Sequence, residues 1–299
     1  MTRPLVLITG ATGKTGAPTL ELLRERGARV RALVRTRDDR SARLAALGAQ
    51  VVVGDFLDLR SMRAALDGVD RAYFCYPPDG TDLLEATSIF GTAAKDAGVR
   101  SVVNMSQISA DEASSSFLAR QHWLAENVLD WAQVGAIHVR PTFFAEMLFI
   151  LAGPSIAEEG RIYLPYGDES HAPVAASDIA RVVVGALLDP DPHVGRRLVV
   201  TGDRNRTVAE MAQVIAGVLG RDVAYVDLPN EAWGRALASV PGLTPSLIEH
   251  LQAVANEHKK GVFRAVTDVV ERVGGAPPVT LEAFVRAHRE RFEASAAAE

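Results

Sequence analysis

Three glycines spaced three residues apart follow the first apolar strand of this 299-residue chain. The strand is predicted at residues 5–9, and Gly10, Gly13 and Gly16 separate it from a segment of helical spacing. Gly10 permits a tight turn, and Gly13 lets the backbone approach a bound group. Gly16 allows the helix to pack closely against the strand. Because N–H groups at a helix start attract anions, this turn predicts a site for the pyrophosphate of a dinucleotide.

Short β-branched apolar runs alternate with longer segments of helical spacing over the first 140 residues. The apolar runs occupy residues 5–9, 29–34, 50–53, 72–76, 101–105 and 136–139, and the helical segments occupy 17–26, 41–47, 59–66, 82–96 and 117–131. Near-continuous apolar strands separated by amphipathic helices are typical of a parallel sheet covered on both faces. Because such crossovers are right-handed, the pattern predicts an α/β fold with a doubly wound, Rossmann-like sheet.

The alternation loosens after Arg140. Glycine and proline punctuate residues 153–173, a helix is expected at 177–188 with Ser177 as its N-cap, and a strand at 197–201. Most of the remainder has helical spacing. We therefore predict a Rossmann-like domain at residues 1–152, with its sheet completed by 177–202. Residues 153–176 and 203–299 are predicted to form a smaller, mainly helical C-terminal lobe that caps the substrate.

Charge and cysteine content exclude several classes of protein. The formal net charge of −5 opposes a broad cationic surface for nucleic acid or anionic lipid. The single cysteine, Cys75, lies in an apolar run and is expected in the core, and one cysteine excludes a cysteine-rich metal site. The seven histidines include no i,i+4 pair and no cluster with carboxylates, so no catalytic metal is predicted.

The sequence also has no recognisable export or membrane segment. No charged-then-apolar leader precedes the first strand, and the most apolar later stretch, residues 143–152, is too short to span a bilayer. We therefore expect a cytoplasmic protein that acts on a small-molecule substrate and binds neither membrane nor nucleic acid. A homodimer and a regulatory protein partner both remain open.

The end of the second predicted strand indicates which dinucleotide the turn would bind. Arg35 lies 19 residues after Gly16, where an NAD-specific site usually has an acidic residue that accepts hydrogen bonds from the ribose hydroxyls. A carboxylate would repel the 2′-phosphate of NADP, whereas a guanidinium can bind it with two hydrogen bonds. We therefore predict NADP(H) as the cofactor, with Arg37 or Lys14 assisting Arg35. The alternative is that these residues are solvated surface cations.

Further cofactor contacts are predicted where neighbouring strands end. Asp55 follows the third strand and is well placed for the adenine amino group, while Tyr76 and Pro77 follow the fourth strand on the ribose side. The full set of predicted cofactor-binding residues is Gly10, Thr12, Gly13, Lys14, Thr15, Gly16, Arg35, Arg37, Asp55, Phe56, Tyr76, Pro77, Ser106 and Phe143.

These segments together resemble the NmrA-like atypical short-chain dehydrogenases/reductases. The resemblance rests on TGATGKTG at residues 9–16, Arg35, VGDF at 53–56, VRPTFF at 139–144, SDIA at 177–180 and GAPPVTLEAF at 275–284. It spans nearly the whole chain and implies a Rossmann-like domain with a small substrate lobe. Family members include NADPH-dependent quinone and dye reductases, biosynthetic reductases and catalytically silent NADP(H) sensors. The residues that match the family's cofactor motif are Gly10, Thr12, Gly13, Lys14, Gly16, Arg35, Asp55 and Phe56.

The chain departs from catalytic short-chain dehydrogenases at their Tyr-x-x-x-Lys pair. None of the five tyrosines has a lysine four residues later. With Glu126 and Arg140 as anchors, the lysine position falls on His122 and the tyrosine position on Leu118. Ketone reduction through that pair is therefore disfavoured. His122 could supply a proton itself, since imidazole titrates near neutrality, or it could be a structural histidine bonded to Glu126 or to backbone.

The resemblance and the missing pair together leave two functions. The first is an NADPH-dependent oxidoreductase that transfers hydride to a small electrophilic acceptor, such as a quinone, enone, imine or dye. The second is a non-catalytic NADP(H) sensor that regulates a partner. For the enzyme, His122 is the candidate catalytic residue, and the predicted substrate pocket comprises Phe144, Tyr163, Tyr166, His171 and Trp233. Plain core packing is the alternative for Phe143 and Phe144.

Overall fold

The computed structural model describes residues 3–77 and 82–293, in which strands and helices alternate along the chain. The strands are β1 (Leu5–Ile8), β2 (Arg29–Val34), β3 (Gln50–Val53), β4 (Arg71–Phe74), β5 (Ser101–Met105), β6 (Ala136–Pro141), β7 (Arg161–Leu164), β8 (Ser170–His171), β9 (Arg197–Val200), β10 (Arg206–Thr207) and β11 (Ala224–Asp227). The helices are α1 (Gly16–Glu25), α2 (Asp39–Ala46), α3 (Leu59–Leu66), α4 (Leu83–Asp96), α5 (Phe117–Ala132), α6 (Met147–Leu151), α7 (Gly153–Glu159), α8 (Ala176–Leu188), α9 (Val208–Leu219), α10 (Asn230–Leu237), α11 (Pro245–His258), α12 (Val269–Gly274) and α13 (Leu281–Ala287).

Seven parallel strands form the central sheet in the order β3-β2-β1-β4-β5-β6-β9. This order confirms the doubly wound, Rossmann-like fold. The chain adds β2 and β3 on one side of β1 and then β4, β5 and β6 on the other, so the order of strand addition reverses between β1 and β4. These two parallel strands are neighbours, with Ile8 opposite Tyr73. In such sheets ligands bind beyond the carboxyl ends of the strands at this switch point. The glycine turn that follows β1 therefore lies where a ligand is expected.

Two hydrophobic clusters cover the two faces of the sheet. One joins strand residues such as Val6 and Ile137 to Leu20 of α1 and Val183 of α8. The other packs Met62 of α3, with residues of α4 and α5, under the opposite face. Apolar side chains thus cover both faces of the sheet and exclude water from them. This explains why the strand sequences are continuous apolar runs instead of alternating apolar and polar residues.

The C-terminal lobe has its own core, which is separate from the two sheet clusters. It contains α6, α7, α9, α10, α11 and α13, and also two small sheets that the helical spacing did not predict. β7 pairs in parallel with β11, and β8 pairs antiparallel with β10. β9, by contrast, returns to the central sheet beside β6, within the segment predicted to complete it.

The predicted boundary of the lobe needs one correction, because α12 does not belong to it. Val269 and Val270 of α12 are buried in the sheet cluster that contains α8. Gly185 of α8 allows this contact, since a Cβ there would lie 2.0 Å from the Val273 carbonyl oxygen. α12 itself begins at Val269. Residues 203–299 are therefore divided between the lobe and the sheet.

A buried ionic network fixes α5 against β6 and β9. The carboxylate of Glu126 is fully buried and accepts hydrogen bonds from Arg140 (2.8 and 2.7 Å) and Arg197 (3.0 Å). Arg197 also binds Asp130, which in turn contacts His138 at 3.0 Å.

Among the described residues no helix is long and apolar enough to cross a membrane.

Candidate active site

The turn between β1 and α1 has the backbone geometry that its glycines predict. Gly10 adopts a positive φ of 57°, and its carbonyl oxygen accepts a hydrogen bond from Gly13 N at 2.9 Å. A Cβ on Gly16 would lie 2.1 Å from the same oxygen. A side chain at position 16 would therefore clash with the turn itself. This is a second reason for glycine there, in addition to the helix–strand packing expected from the sequence. The result is a short, tightly wound loop that leads directly into α1.

The hydroxyl groups of two threonines at this turn, Thr9 and Thr15, make hydrogen bonds within the protein. Thr9 Oγ1 donates to the Cys75 carbonyl oxygen (3.1 Å) and accepts from Cys75 N (2.8 Å). Thr15 Oγ1 is buried and lies 2.8 Å from Tyr73 Oη. The Thr15 hydroxyl is therefore engaged by Tyr73, and a cofactor contact by Thr15 stays a prediction. Cys75 lies partly exposed beside Gly10 and is less buried than expected.

Three exposed cations, Lys14, Arg35 and Arg37, lie in the turn or just after the neighbouring strand β2. Lys14 and Arg35 are exposed, and neither makes an ion pair or a hydrogen bond within residues 3–77 and 82–293. Arg37 makes one long hydrogen bond, to the Val51 carbonyl oxygen at 3.4 Å. Arg35 directly follows β2, the strand next to β1. Its charge is therefore available to an anion at the carboxyl edge of the sheet.

Residues after β3 and β4 form the next part of this edge. Asp55 is exposed, and its side chain accepts a hydrogen bond from Leu57 N at 3.0 Å. The Phe56 ring meets Tyr76 edge to face, with centroids 5.2 Å apart. Pro77 is exposed at the end of the first described range, and Thr12 is half-buried within the glycine turn. Asp55, Phe56, Tyr76 and Pro77 thus follow the carboxyl ends of β3 and β4, and their contacts with a cofactor stay a prediction.

Ser106 has a different environment from the one predicted. It follows β5, is buried, and donates through Oγ to Glu126 Oε1 at 2.6 Å. Burial alone would raise the pKa of Glu126, but hydrogen bonds from Arg140 and Ser106 outweigh burial and hold the pKa below its usual value. The carboxylate is therefore ionised at neutral pH. The hydroxyl proton of Ser106 is thus engaged by Glu126, and the cofactor contact of Ser106 stays a prediction.

His122 is half-buried on α5, and both roles considered for it need correction. Its Nδ1 is buried without a hydrogen-bond partner in the described chain, so it is bonded neither to Glu126 nor to backbone. Burial, and next the nearby His250, lower the pKa of His122 to about 4. The imidazole is thus neutral at neutral pH and does not titrate where an ordinary histidine does. An unpartnered buried nitrogen remains available to a ligand.

The aromatic residues predicted to line the substrate pocket fall into two groups. Phe143, Phe144, Tyr166 and His171 share one apolar pocket, together with Met147, Leu148, Leu151, Leu164, Pro173, Val208 and Met211. The space inside it that a water molecule can reach is only about 20 Å³, so these side chains nearly fill it.

Two residues expected in this pocket lie elsewhere. Tyr163 donates its hydroxyl proton to Glu159 of α7 at 2.6 Å, away from the pocket. Trp233 is 2% exposed and meets only the far side of Tyr166, with centroids 6.3 Å apart. Neither residue lines this apolar pocket, and their contact with a substrate stays a prediction.

Helix α11 supplies functional candidates that sequence reasoning missed. Glu257 is buried and accepts hydrogen bonds from Ser114 Oγ and Ser115 N. His250 Nδ1 lies 2.6 Å from Ser116 Oγ, the N-cap of α5. His258 Nε2 lies 3.0 Å from His171 Nδ1. The polar partners are 87 to 143 residues apart in the chain, so no local pattern could have indicated them.

His138 is a core histidine with a hydrogen-bond partner at each ring nitrogen. His138 is fully buried in β6, with Nδ1 3.1 Å from Asn104 and Nε2 3.0 Å from Asp130. Within residues 3–77 and 82–293, no three or more histidine, cysteine, aspartate or glutamate side chains are grouped as metal ligands.

A glycine turn at the switch point of a doubly wound parallel sheet is the arrangement of a Rossmann-like dinucleotide-binding protein. The family model for the NmrA-like family matches residues 2–284, and the chain belongs to this family.

Relatives of known description include reductases. The chain is 33% identical to an NAD(P)H azoreductase of Xenophilus azovorans over 294 residues, covering 97% of this chain and 100% of the relative. The NADPH complex of a quinone oxidoreductase from Escherichia coli is 26% identical, with a TM-score of 0.84 and coverage of 95% and 99%. Citrobacter sp. triphenylmethane reductase, solved with NADP(H), shares the fold at 23% identity, a TM-score of 0.84 and coverage of 94% and 99%.

Proposed function

We propose that this chain is an NADPH-dependent oxidoreductase that transfers hydride to a small electrophilic acceptor, such as a quinone, enone, imine or dye. The observation that carries the proposal is the pair of unpartnered cations, Lys14 and Arg35, beside the tightly wound glycine turn. The turn offers backbone N–H groups to a pyrophosphate, and Arg35 matches the planar geometry of a phosphate. The azoreductase and quinone oxidoreductase relatives support the same chemistry.

The acceptor site is proposed where β5 and β6 end. The Phe143 ring is half-buried there, and His122 is half-buried on α5. NADPH, when bound, supplies the hydride. The chain's part is to hold acceptor and cofactor in alignment and to exclude water, because hydride transfer needs the reacting atoms about 3–3.5 Å apart. An acceptor that is already electrophilic reacts without the tyrosine acid that this chain lacks.

The test of this function is NADPH binding followed by turnover. Calorimetry is expected to show saturable NADPH uptake. A panel of quinones, enones, imines, azo compounds and cationic dyes should include at least one compound whose addition lowers the absorbance of NADPH.

The second candidate function, a redox sensor, is favoured by the missing tyrosine–lysine pair and the nearly filled pocket. Uptake without turnover across the panel supports the sensor, and absence of uptake contradicts both functions.

The role of His122 gives a prediction of its own. His122→Ala is expected to lower kcat by about tenfold, at the upper end of what one neutral hydrogen bond contributes, and to leave NADPH affinity unchanged. Because the pKa of His122 lies at about 4, the wild-type rate should show no histidine step around neutral pH and should fall only as pH drops toward 4. A step near the ordinary histidine pKa that disappears in the variant would instead identify His122 as a charged acid.

A further inference from the structure

Three polar side chains follow β5 at the proposed acceptor site, and only one of them keeps a free hydrogen-bond donor. Ser106 donates its hydroxyl proton to Glu126 Oε1 at 2.6 Å. Ser109 is buried and donates its hydroxyl proton to Gln107 Oε1 at 2.8 Å. Nε2 of Gln107 makes no hydrogen bond within residues 3–77 and 82–293, and it is accessible to solvent. The amide of Gln107 therefore has two N–H groups to offer to a ligand.

The position of this amide is fixed before any ligand binds. Ile108 N donates to the Pro141 carbonyl oxygen of β6 at 3.0 Å, and Ala110 N donates to the Gln107 carbonyl oxygen at 3.1 Å. These bonds hold the backbone on both sides of Gln107, and Ser109 holds the amide oxygen. A donor that is already oriented stabilises a developing negative charge better than one that must first turn.

The amide also lies on the side of the sheet where hydride transfer is proposed. β5 is two strand spacings from β1, about 10 Å across the sheet, and β2 lies on the opposite side of β1. The glycine turn after β1 and Arg35 after β2 are the proposed phosphate contacts. A dinucleotide held there by its phosphates has room for its nicotinamide ring at the carboxyl ends of β4 and β5.

We propose that Gln107 is a catalytic residue, whose Nε2 donates a hydrogen bond to the carbonyl oxygen of a conjugated acceptor such as an enone or a quinone. This inference rests on the proposed reductase function. The amide stabilises charge on that oxygen without giving up a proton, so it needs no resupply after each turnover. Ser109 is its positioning residue, because the bond from Ser109 to Oε1 turns Nε2 away from the loop.

Hydride transfer to such an acceptor creates the charge that the amide would stabilise. The β-carbon of the acceptor gains the hydride of NADPH and forms a new C–H bond. The C=C electron pair moves toward the carbonyl carbon, and the C=O electron pair moves onto oxygen, which gives an enolate and NADP⁺. Water then protonates the enolate and leaves hydroxide. A triphenylmethane cation, by contrast, becomes neutral on gaining hydride, so no negative charge develops on it.

This difference between acceptors supplies the test. Gln107→Met keeps the length of the side chain and removes the donor. With naphthoquinone its kcat is expected to fall about tenfold, the low end for a hydrogen bond to a charged atom. With a triphenylmethane cation its kcat should be unchanged. Gln107→Glu keeps an oxygen for Ser109 but puts a carboxylate against the enolate, so the loss with naphthoquinone should be larger than in Gln107→Met.

Two further variants separate the donor from general effects of substitution. Gln213→Glu makes the same change at an exposed glutamine of α9 and should leave both activities at their wild-type values. Ser109→Ala frees the amide to turn, and it is expected to lower kcat with naphthoquinone by less than Gln107→Met does, without changing kcat with the cation.

A binding measurement complements the kinetics. 4-Nitrophenolate carries its negative charge on an oxygen, as the enolate does. By calorimetry it is expected to bind the NADP⁺ complex of Gln107→Met about tenfold more weakly than that of wild type. The affinity for NADP⁺ itself should be the same in both proteins.

Several results would overturn the role of Gln107 while leaving the reductase function intact. These are equal loss with naphthoquinone and the cation, no loss with naphthoquinone in Gln107→Met, a wild type that reduces only the cation, and unchanged 4-nitrophenolate binding. Weaker NADP⁺ binding in Gln107→Met would make Gln107 a cofactor contact instead. Full activity of Gln107→Glu would show that the amide oxygen faces the acceptor. If wild type reduces neither acceptor, the proposed function fails and the role of Gln107 fails with it.

Discussion

Arg35→Asp is expected to weaken NADPH binding by about 100-fold and to change NADH binding little, because only NADPH carries the 2′-phosphate. The wild-type guanidinium is exposed and has no partner within the described residues. It can therefore give two charge-assisted hydrogen bonds to the phosphate without first breaking an ion pair. In the variant those bonds are lost and a carboxylate repels the same group. Calorimetric dissociation constants for both nucleotides measure the effect.

The matched control is Arg235→Asp, which makes the same charge change at an exposed arginine on α10 of the lobe. It should leave both affinities at their wild-type values. Arg35→Lys should fall between wild type and Arg35→Asp, because lysine keeps the charge but lacks the planar fork. Equal weakening of NADPH and NADH by Arg35→Asp would show that Arg35 does not contact the 2′-phosphate.

Gly16→Ala is the second change with a large expected effect. The added Cβ would lie 2.1 Å from the Gly10 carbonyl oxygen, far inside contact distance, and the obstacle is backbone. The start of α1 must therefore move away from the turn. Loss of two amide–phosphate hydrogen bonds at about 1.5 kcal/mol each corresponds to roughly 100-fold weaker binding, for NADPH and NADH alike. Overpacking should also lower the free energy of unfolding by about 1–3 kcal/mol.

Gly217→Ala is a suitable control for this substitution. Gly217 lies inside α9, and a Cβ there meets no atom within 4 Å. Alanine in a helix interior should raise the free energy of unfolding by up to about 1 kcal/mol and leave nucleotide binding unchanged. Denaturant unfolding and calorimetry on the three proteins separate the two effects. Wild-type NADPH affinity in Gly16→Ala would contradict a binding role for this turn.

Local sequence signals predicted the parts of the fold that depend on neighbouring residues. The helix predicted at 59–66 matches α3, and the predicted strand at 50–53 matches β3, because each carries its own apolar period and boundary residues. Gly10 has the positive φ that its place in the turn required. The doubly wound arrangement of the sheet was predicted from the alternation of strands and helices and the right-handedness of their crossovers.

Features that depend on distant partners were not predictable in this way. Ser177 does not cap α8, because the helix starts one residue earlier and the carboxylate of Glu146 accepts the Ala176 N–H at 3.0 Å. β7 was missed because its pairing partner, β11, is some sixty residues away. Thr15 and Ser106 were assigned to the cofactor from their position, but buried partners on other elements hold their hydroxyls. Sequence position thus located the site, and tertiary contacts decided which side chains face it.

The return of α12 to the sheet has a consequence for engineering acceptor preference within this family. After β6 the chain enters the lobe, and α8 and β9 then belong to the sheet region. The chain enters the lobe a second time after β9, α12 packs on the sheet, and α13 packs against α9 in the lobe. A chimera joined at one fusion point would therefore cut through a shared core. Transplanting the C-terminal lobe of a relative requires exchanging residues 142–175, 201–268 and 276–293 together, with α8, β9 and α12 retained from the recipient.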